Sequence, residues 1–454
     1  MGSHLPADRP SRLPYKTERV SAAERATDEA AARQTIARCL DLLSDHPSPG
    51  AARLANDVMA GYTSLAATGR AAFFDSLARE FTSDPLVLLH AAESYIRCPD
   101  EATQTGLKRA SESRLQELFH RLNASRGGTA FLVHMREHLL QGLRDHPSWQ
   151  VLEDDLAQVL RAVFNRSLLV FEQIDWETPA PVLEKLMQYE AVHAIRDWRD
   201  MRRRLEADRR CYALFHPAWA DEPLIFAEVA LTVGIGSQVG PILDPDSPVV
   251  DPDGCNAAIL YSISNCQPGL RGYSLGNDLI GRVTDDLLAR LPRLRTIATL
   301  SPIPGFRRWL SGLASTLENP SCVAQVQAAA KRGDWCSDPA AAAKFEHHLM
   351  ALGAHYLLHA RSGSEPADPV ARFHLSNGAR LRRLNWRSDM TAAGLERSFG
   401  LTANYVYYPT NLSRNWHTYH ESGRINATRQ LERLAREGAD LCGPPRRKEL
   451  PISA

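Results

Sequence analysis

The chain has 454 residues, 44% of them apolar and 23% charged. That composition is globular and excludes disorder of the whole chain. Lysine plus arginine and aspartate plus glutamate both total 53, so the formal net charge is zero and no long-range field favours a general nucleic-acid or anionic-membrane binder.

No apolar run approaches the roughly 18 residues of a membrane span, and the N-terminal stretch lacks the apolar core of a secretory signal. Residues 1–20, opening Met1-Gly2-Ser3-His4, read as a disordered or tag-derived segment. The eight cysteines include no pair at C-x2-C spacing, so they read as reduced thiols of a cytoplasmic protein rather than as a zinc ribbon. Arginine far outnumbers lysine and alanine is abundant, which reads as a GC-rich bacterial genome.

From 21 to 165 the periodicity is helical. Leu115, Leu118, Phe119 and Leu122 share one face, as do Leu152, Leu156, Val159, Leu160 and Val163, and Phe74, Leu77 and Phe81 repeat the spacing. Ser48-Pro49 and Asp84-Pro85 each look like a cap followed by proline at the first helical position. The region reads as an all-helical bundle domain.

Beyond 165 the texture is mixed. Strand formers dominate Ser167–Asp175, Arg210–Phe215, Pro223–Val233, Ala257–Ser264, Leu294–Leu300 and Leu401–Tyr408. Ala371–Trp386 reads as strand with a turn at Asn377-Gly378. Helices are expected over Val182–His193, Asp197–Leu205, Phe306–Leu317 and, capped by Asp338, Pro339–Leu358. Another carries Leu279, Ile280, Val283, Leu287, Leu288 and Leu291 on one face and stops at Pro292. The fold class is therefore α+β: a helical domain over 21–165 and a mixed α/β domain over 166–454.

The loop Gln267–Gly276 joins a buried strand to that last helix. Gly269, Gly272 and Gly276 let backbone amides approach a ligand, the helix start adds unsatisfied donors, and Arg271 adds a charge, a combination that suits a diphosphate. The segment matches neither the G-x-x-x-x-G-K-[ST] nor the G-x-G-x-x-G phosphate motif, and a plain strand-to-helix connection explains it as well. Ser301 ends a strand and is followed by Pro302 and Pro304, which suits either a hydroxyl held in one place for chemistry or a rigid strand-to-helix turn with the serine as a cap. His374, at the start of a strand, is either chemical or structural. His216-Pro217 and Glu222-Pro223, ahead of a strand, read as structural. Glu228 interrupts an apolar strand, so it needs a partner or water. Tyr405 and Tyr407 alternate with Val406 and point the same way. The order HMREH at His134–His138 is not a zinc motif, and no metal site is expected.

Four stretches together, FHPAWADEPLIFAEVALT, AAILYSISNCQPGLRGYSLGNDLIGRV, LSPIPGFRRWL and FHLSNGARLRRLNW with GLTANYVYY, resemble the malonyl-CoA decarboxylase family. The resemblance covers about Ser167 to Tyr408. It implies a GNAT-like catalytic domain and a coenzyme A diphosphate on Gln267, Gly269, Leu270, Arg271, Gly272, Tyr273, Ser274, Leu275 and Gly276. It places the essential serine and histidine at Ser301 and His374. Animal members are expected to carry an acidic residue where Ser274 stands. Ser264, Asn265, Pro302 and Tyr405, beside these motifs, are read as substrate-binding. The resemblance further implies loss of CO2 from malonyl-CoA without metal or organic cofactor, coenzyme A being part of the substrate. The expected partners are an acyl-CoA and further copies of the chain in a dimer or tetramer, with no nucleic acid and no membrane. Acyl transfer from coenzyme A to an amine is the alternative, followed by a non-catalytic coenzyme A-binding module.

Overall fold

The computed structural model describes residues 21–44, 50–82, 84–111, 113–313, 328 and 339–442. Residues 1–20, the Ser48-Pro49 pair, the Asp338 cap and the far end of the helix expected to reach Leu317 lie outside them. Contacts divide the chain into two units. One runs to Leu168 and includes Gln267–Tyr273; the other comprises Leu169–Cys266 and the residues from Ser274 onward.

The first unit is helical: α1 (Ala22–Ser44), α2 (Ala51–Thr63), α3 (Ala67–Glu80), α4 (Pro85–Arg97), α5 (Glu101–Ser111), α6 (Arg114–Asn123), α7 (Gly128–Gly142) and α8 (Gln150–Val163). Its core uses the expected stripes. Leu115, Leu118, Phe119 and Leu122 of α6 are buried, as are Leu152, Leu156, Val159 and Leu160 of α8. Asp84 caps α4 by accepting from the Leu86 amide at 2.8 Å, with Pro85 in the first turn. Among the described residues, no helix is long and apolar enough to cross a membrane.

The second unit is built on one eight-stranded sheet. Its strands are β1 (Val170–Ile174), β2 (Arg209–Phe215), β3 (Ile225–Thr232), β4 (Ala257–Asn265), β5 (Thr296–Thr299), β6 (Ser301–Pro302), β9 (Arg380–Asn385) and β10 (Thr402–Tyr407); the short strands β7 (Arg361–Ser362) and β8 (Glu365–Pro366) pair separately. β1 to β4 form an antiparallel run, β4 and β5 are parallel, and β10 pairs antiparallel with β5, β6 and β9. β3 is buried over seven successive residues, which is why it reads as a continuous apolar run rather than an alternating one.

The helices of this unit are α9 (Ala180–Tyr189), α10 (Trp198–Arg204), α11 (Gly240–Leu243), α12 (Leu275–Arg290), α13 (Phe306–Leu313), α14 (Pro339–His359), α15 (Pro369–Ser376), α16 (Ala392–Ser398), α17 (Leu412–Ser422) and α18 (Arg429–Cys442). Asp197 caps α10 through the Arg199 and Asp200 amides.

The structure corrects one expectation that bears on the site. The segment read as strand over Ala371–Trp386 begins as helix α15, and only Arg380–Asn385 is strand. Asp368 accepts from the Val370 and Ala371 amides and Pro369 takes the first helical position, so local cap chemistry starts a helix there. Gly378, at a φ of 79°, closes that helix rather than a hairpin, and a Cβ there would lie 2.5 Å from the Leu412 carbonyl oxygen. His374 therefore sits on a helix. The closing helices α17 and α18 also lie beyond the expected elements.

Candidate active site

The site is assembled where two neighbouring strands part. β4 pairs with β5 from Ala257 to Leu260, and the last rung is the Leu300 amide on the Leu260 carbonyl at 3.0 Å. On its other side β4 carries a bulge: Ser262 faces Glu228 and Leu260 faces Val229, leaving Tyr261 as the extra residue. A bulge bends a strand and re-aims the residues beyond it. The gap is a cavity of about 330 Å3 lined by Leu260, Tyr261, Ser262, Ile263 and Asn265 on one side. Ser301, Pro302, Pro369, Val370, Phe373 and His374 line the other, with Val192 completing the wall.

β10 fixes the serine. Ala403 pairs with Ser301 and Thr402 with Pro302, so the strand that breaks at Leu300 resumes for two residues. α15 brings the histidine to it. His374 Nε2 lies 3.0 Å from Ser301 Oγ, and Ser301 Oγ donates to Thr299 Oγ1 at 2.8 Å. Thr299 Oγ1 also accepts from the Tyr405 amide at 3.2 Å. Behind the imidazole, the Tyr407 hydroxyl is 2.8 Å from Nδ1, and the Tyr405 ring stacks on it at 4.6 Å between centroids. The alternation that aims Tyr405 and Tyr407 the same way thus supplies one stacking and one hydrogen-bonding partner.

Ser301 and His374 are 5% and 4% exposed, and burial pushes the imidazole down to about 3. His374 is therefore neutral near pH 7, with one ring N–H to give. Because Ser301 donates to Thr299, the consistent assignment has Tyr407 donating to Nδ1 and Nε2–H donating to Ser301. Burial raises the Tyr407 phenol, so it too stays protonated.

The other candidates divide. Asn265 and Pro302 line the cavity. Ser264 is fully buried; its hydroxyl donates to Glu190 Oε2 at 3.1 Å and accepts from the Ala191 amide at 3.1 Å, holding the segment after α9. Ser274 is exposed at the start of α12, while Leu275 and Gly276 are buried. A Cβ at Gly276 would stand 2.5 Å from the Phe373 ring, so the start of α12 abuts a cavity-lining side chain. Amides in the first turn of a helix lack intrahelical acceptors.

Gln267–Tyr273 packs within the first unit. Gln267 and Leu270 are buried, and Arg136 donates to the carbonyls of Gly269 and Arg271. Arg136 also forms a buried pair with Glu153 and lies over the Tyr273 ring, whose hydroxyl donates to the Ala157 carbonyl. Gly272 has a φ of 90°. The Arg271 side chain is exposed.

Glu222 and His216 are structural. Glu222 pairs with Lys185 and accepts from Tyr189, and His216 Nδ1 accepts from the Ala218 amide. Glu228 has the partner its burial demands, Arg204, which also donates to the His193 carbonyl at 2.7 Å. Among the described residues, no group of three His, Cys, Asp or Glu side chains is placed to hold a metal.

Residues 167–442 match the malonyl-CoA decarboxylase C-terminal domain, and residues 81–164 match the malonyl-CoA decarboxylase N-terminal domain. The chain belongs to the malonyl-CoA decarboxylase family. As a member of this family it is a carboxy-lyase. Its fold is similar to the crystal structure of malonyl-CoA decarboxylase from Rhodopseudomonas palustris, with a TM-score of 0.81 and 39% identity, covering 88% of this chain and 99% of that one. The Agrobacterium vitis malonyl-CoA decarboxylase gives a TM-score of 0.80 at 36% identity, with the same coverage of 88% and 99%. Mitochondrial malonyl-CoA decarboxylase of Rattus norvegicus is 32% identical over 427 residues, 86% of this chain and 87% of the relative. These malonyl-CoA decarboxylase relatives span both units.

Proposed function

We propose that the chain converts malonyl-CoA to acetyl-CoA and CO2, with Ser301 and His374 handling charge and proton at the thioester. The observation that carries this reading is the chain Tyr407–His374–Ser301, ending at the wall of a cavity opened by the parting of β4 and β5. The coenzyme A diphosphate binds at the amides that open α12, from the capping residue Ser274 to Gly276. The pantetheine arm runs along the edge of β4 beyond Leu260, whose backbone groups offer strand-like pairing to its amides. The start of α12 lies against Phe373, so the thioester end enters beside His374 and Ser301.

Breaking the C–C bond releases CO2 and leaves an electron pair shared between the α-carbon and the thioester oxygen. The Ser301 hydroxyl turns from Thr299 to the substrate, stabilises that charge and gives its proton to the α-carbon. Nε2–H of His374 transfers to the serine oxygen, and Tyr407 re-protonates the ring at Nδ1. The relay then runs back: one proton from solvent enters through the cavity at Nε2 while Nδ1–H returns to the tyrosine oxygen, which restores the starting tautomer and balances the reaction. A hydrogen-bond donor placed where charge develops is worth about 3–4 kcal/mol in acyl chemistry. Coenzyme A enters as substrate, and the scheme uses no separate cofactor.

The test is incubation of the protein with malonyl-CoA alone, followed by mass spectrometry. Acetyl-CoA and CO2 are expected without any acceptor, and Ser301→Ala and His374→Ala should each lower kcat more than they raise KM. Turnover that appears only when an amine is added would instead make the chain an acyltransferase. Wild-type rates in both variants would remove the pair.

A further inference from the structure

We propose that Asp368 is a positioning residue that clasps the Ser301 loop to the His374 helix and so sets the spacing between the two side chains. This inference rests on the Ser301/His374 reading and adds to it the residue that brings the two together.

Asp368 is 1% exposed, and each of its carboxylate oxygens serves a different element. Oδ1 accepts from the Val370 and Ala371 amides, both at 3.0 Å, and so starts the helix that carries His374. Oδ2 accepts from the Gly305 amide at 3.2 Å, four residues after Ser301, and from the Tyr356 hydroxyl at 3.4 Å. A buried carboxylate without donors would be costly, and this one spends its lone pairs on two segments that otherwise need not stay in register. Burial raises its proton affinity and the three amides oppose that.

Gly305 is required for the approach. A Cβ there would stand 2.0 Å from the Tyr356 hydroxyl. Tyr356 is in turn fixed by the rings of Phe306 and Trp309 at 5.8 and 5.2 Å between centroids. Both clasped segments also line the cavity, one through Pro302 and the other through Pro369 and Val370. A carboxylate that touches no reacting atom thus governs the 3.0 Å gap between Ser301 and His374. Misplacing a catalytic group by about 1 Å costs roughly a hundredfold in rate.

Serine caps a helix about as well as aspartate but has one oxygen on a shorter stem, so Asp368→Ser keeps the α15 cap and opens the clasp. The full chain carrying Asp368→Ser is compared with wild type for kcat and KM on malonyl-CoA, for coenzyme A affinity by calorimetry and for its melting profile. The expected result is a kcat lowered roughly ten- to a hundredfold, with KM and coenzyme A affinity within about twofold. A kcat within about twofold of wild type in a folded Asp368→Ser protein would make Asp368 a helix cap only and overturn the proposal. So would a loss of rate matched by an equal loss of coenzyme A binding. If Asp368→Ser does not fold, Asp368→Asn decides. Its one carbonyl can serve the cap or the Gly305 amide but not both, so the same selective fall in kcat is expected and wild-type kcat overturns the clasp. Ser301→Ala and His374→Ala are measured in parallel. Full activity in those two would sink the underlying catalytic reading, whereas inactivity there with full activity in both Asp368 variants sinks only the clasp.

Discussion

The imidazole of His374 bridges two hydroxyls, Ser301 at 3.0 Å from Nε2 and Tyr407 at 2.8 Å from Nδ1. A neutral ring has one donor and one acceptor, so fixing the hydrogen bond at one nitrogen fixes the proton at the other. Tyr407→Phe keeps the ring volume and deletes the hydroxyl that holds the tautomer. By analogy with second partners of other functional histidines, kcat should fall about ten- to a hundredfold while KM barely moves. Steady-state kinetics on malonyl-CoA checks this, and a Tyr407→Phe enzyme with wild-type kcat would take the tyrosine out of the relay.

The same imidazole has a consequence for acid stability. Burial lowers the His374 value to about 3, whereas in the unfolded chain it titrates near 6.5. Between those values the unfolded state binds the extra proton, so stability rises with pH there and is progressively lost as pH falls from about 6.5 towards 3. Each pH unit in that window is worth about 1.4 kcal/mol for one proton. His374→Gln, which cannot titrate, should flatten the pH dependence of unfolding by about one proton, measured by urea denaturation at a series of pH values. An unchanged slope would mean that His374 is protonated in the folded protein. In the wild-type enzyme kcat/KM should likewise show no inflection from this residue near 6.5.

How much of the molecule is legible in its residues depends on where each signal resides. The stripe on α6 is local and repeats every helical turn, so Leu115, Leu118, Phe119 and Leu122 are legible and all are buried. β3 is legible because a strand covered on both faces reads as an apolar run. His374 is placed on a strand by competing local signals: Asn377-Gly378 argues for a hairpin, while Asp368-Pro369 is the same helix start as Asp84-Pro85 and prevails. The burial of Glu228 demands a partner, yet no periodicity says that it is Arg204, 24 residues away. The contact between Ser301 and His374 spans 73 residues and depends on β10 and on the Asp368 cap, so the pair comes from the family resemblance and not from spacing.

The buried pair of Arg204 and Glu228 allows a sharper stability test than its presence alone. Both side chains are nearly inaccessible, at 6% and 2%. Removing one partner strands a charge, which typically costs about 3–5 kcal/mol, whereas replacing both with apolar groups is often neutral. Glu228→Ala should therefore lower the unfolding free energy by about that amount, and Arg204→Met with Glu228→Leu should recover most of it. Denaturant unfolding of Arg204→Met, Glu228→Leu and the double variant measures the coupling. Additive losses would show that the pair is not acting as a unit.

Two glycines predict shifts of opposite sign. A Cβ on Gly269 would sit 1.9 Å from the Val133 carbonyl oxygen of α7, and backbone cannot swing aside as a side-chain tip can. Gly269→Ala must push the loop from α7 and stretch the Arg136 bonds to the Gly269 and Arg271 carbonyls, weakening the first unit. A loss of about 1–3 kcal/mol is expected, as for overpacking elsewhere. Gly281, inside α12, has a helical backbone and open space for 4 Å around the place a Cβ would take, so alanine there gains about 0.5–1 kcal/mol through a less mobile unfolded chain. Differential scanning calorimetry of the two variants should show the lower transition for Gly269→Ala and the higher for Gly281→Ala. A Gly269→Ala protein melting at or above wild type would mean that the loop can leave α7 without cost, and its close approach would then have no role in stability.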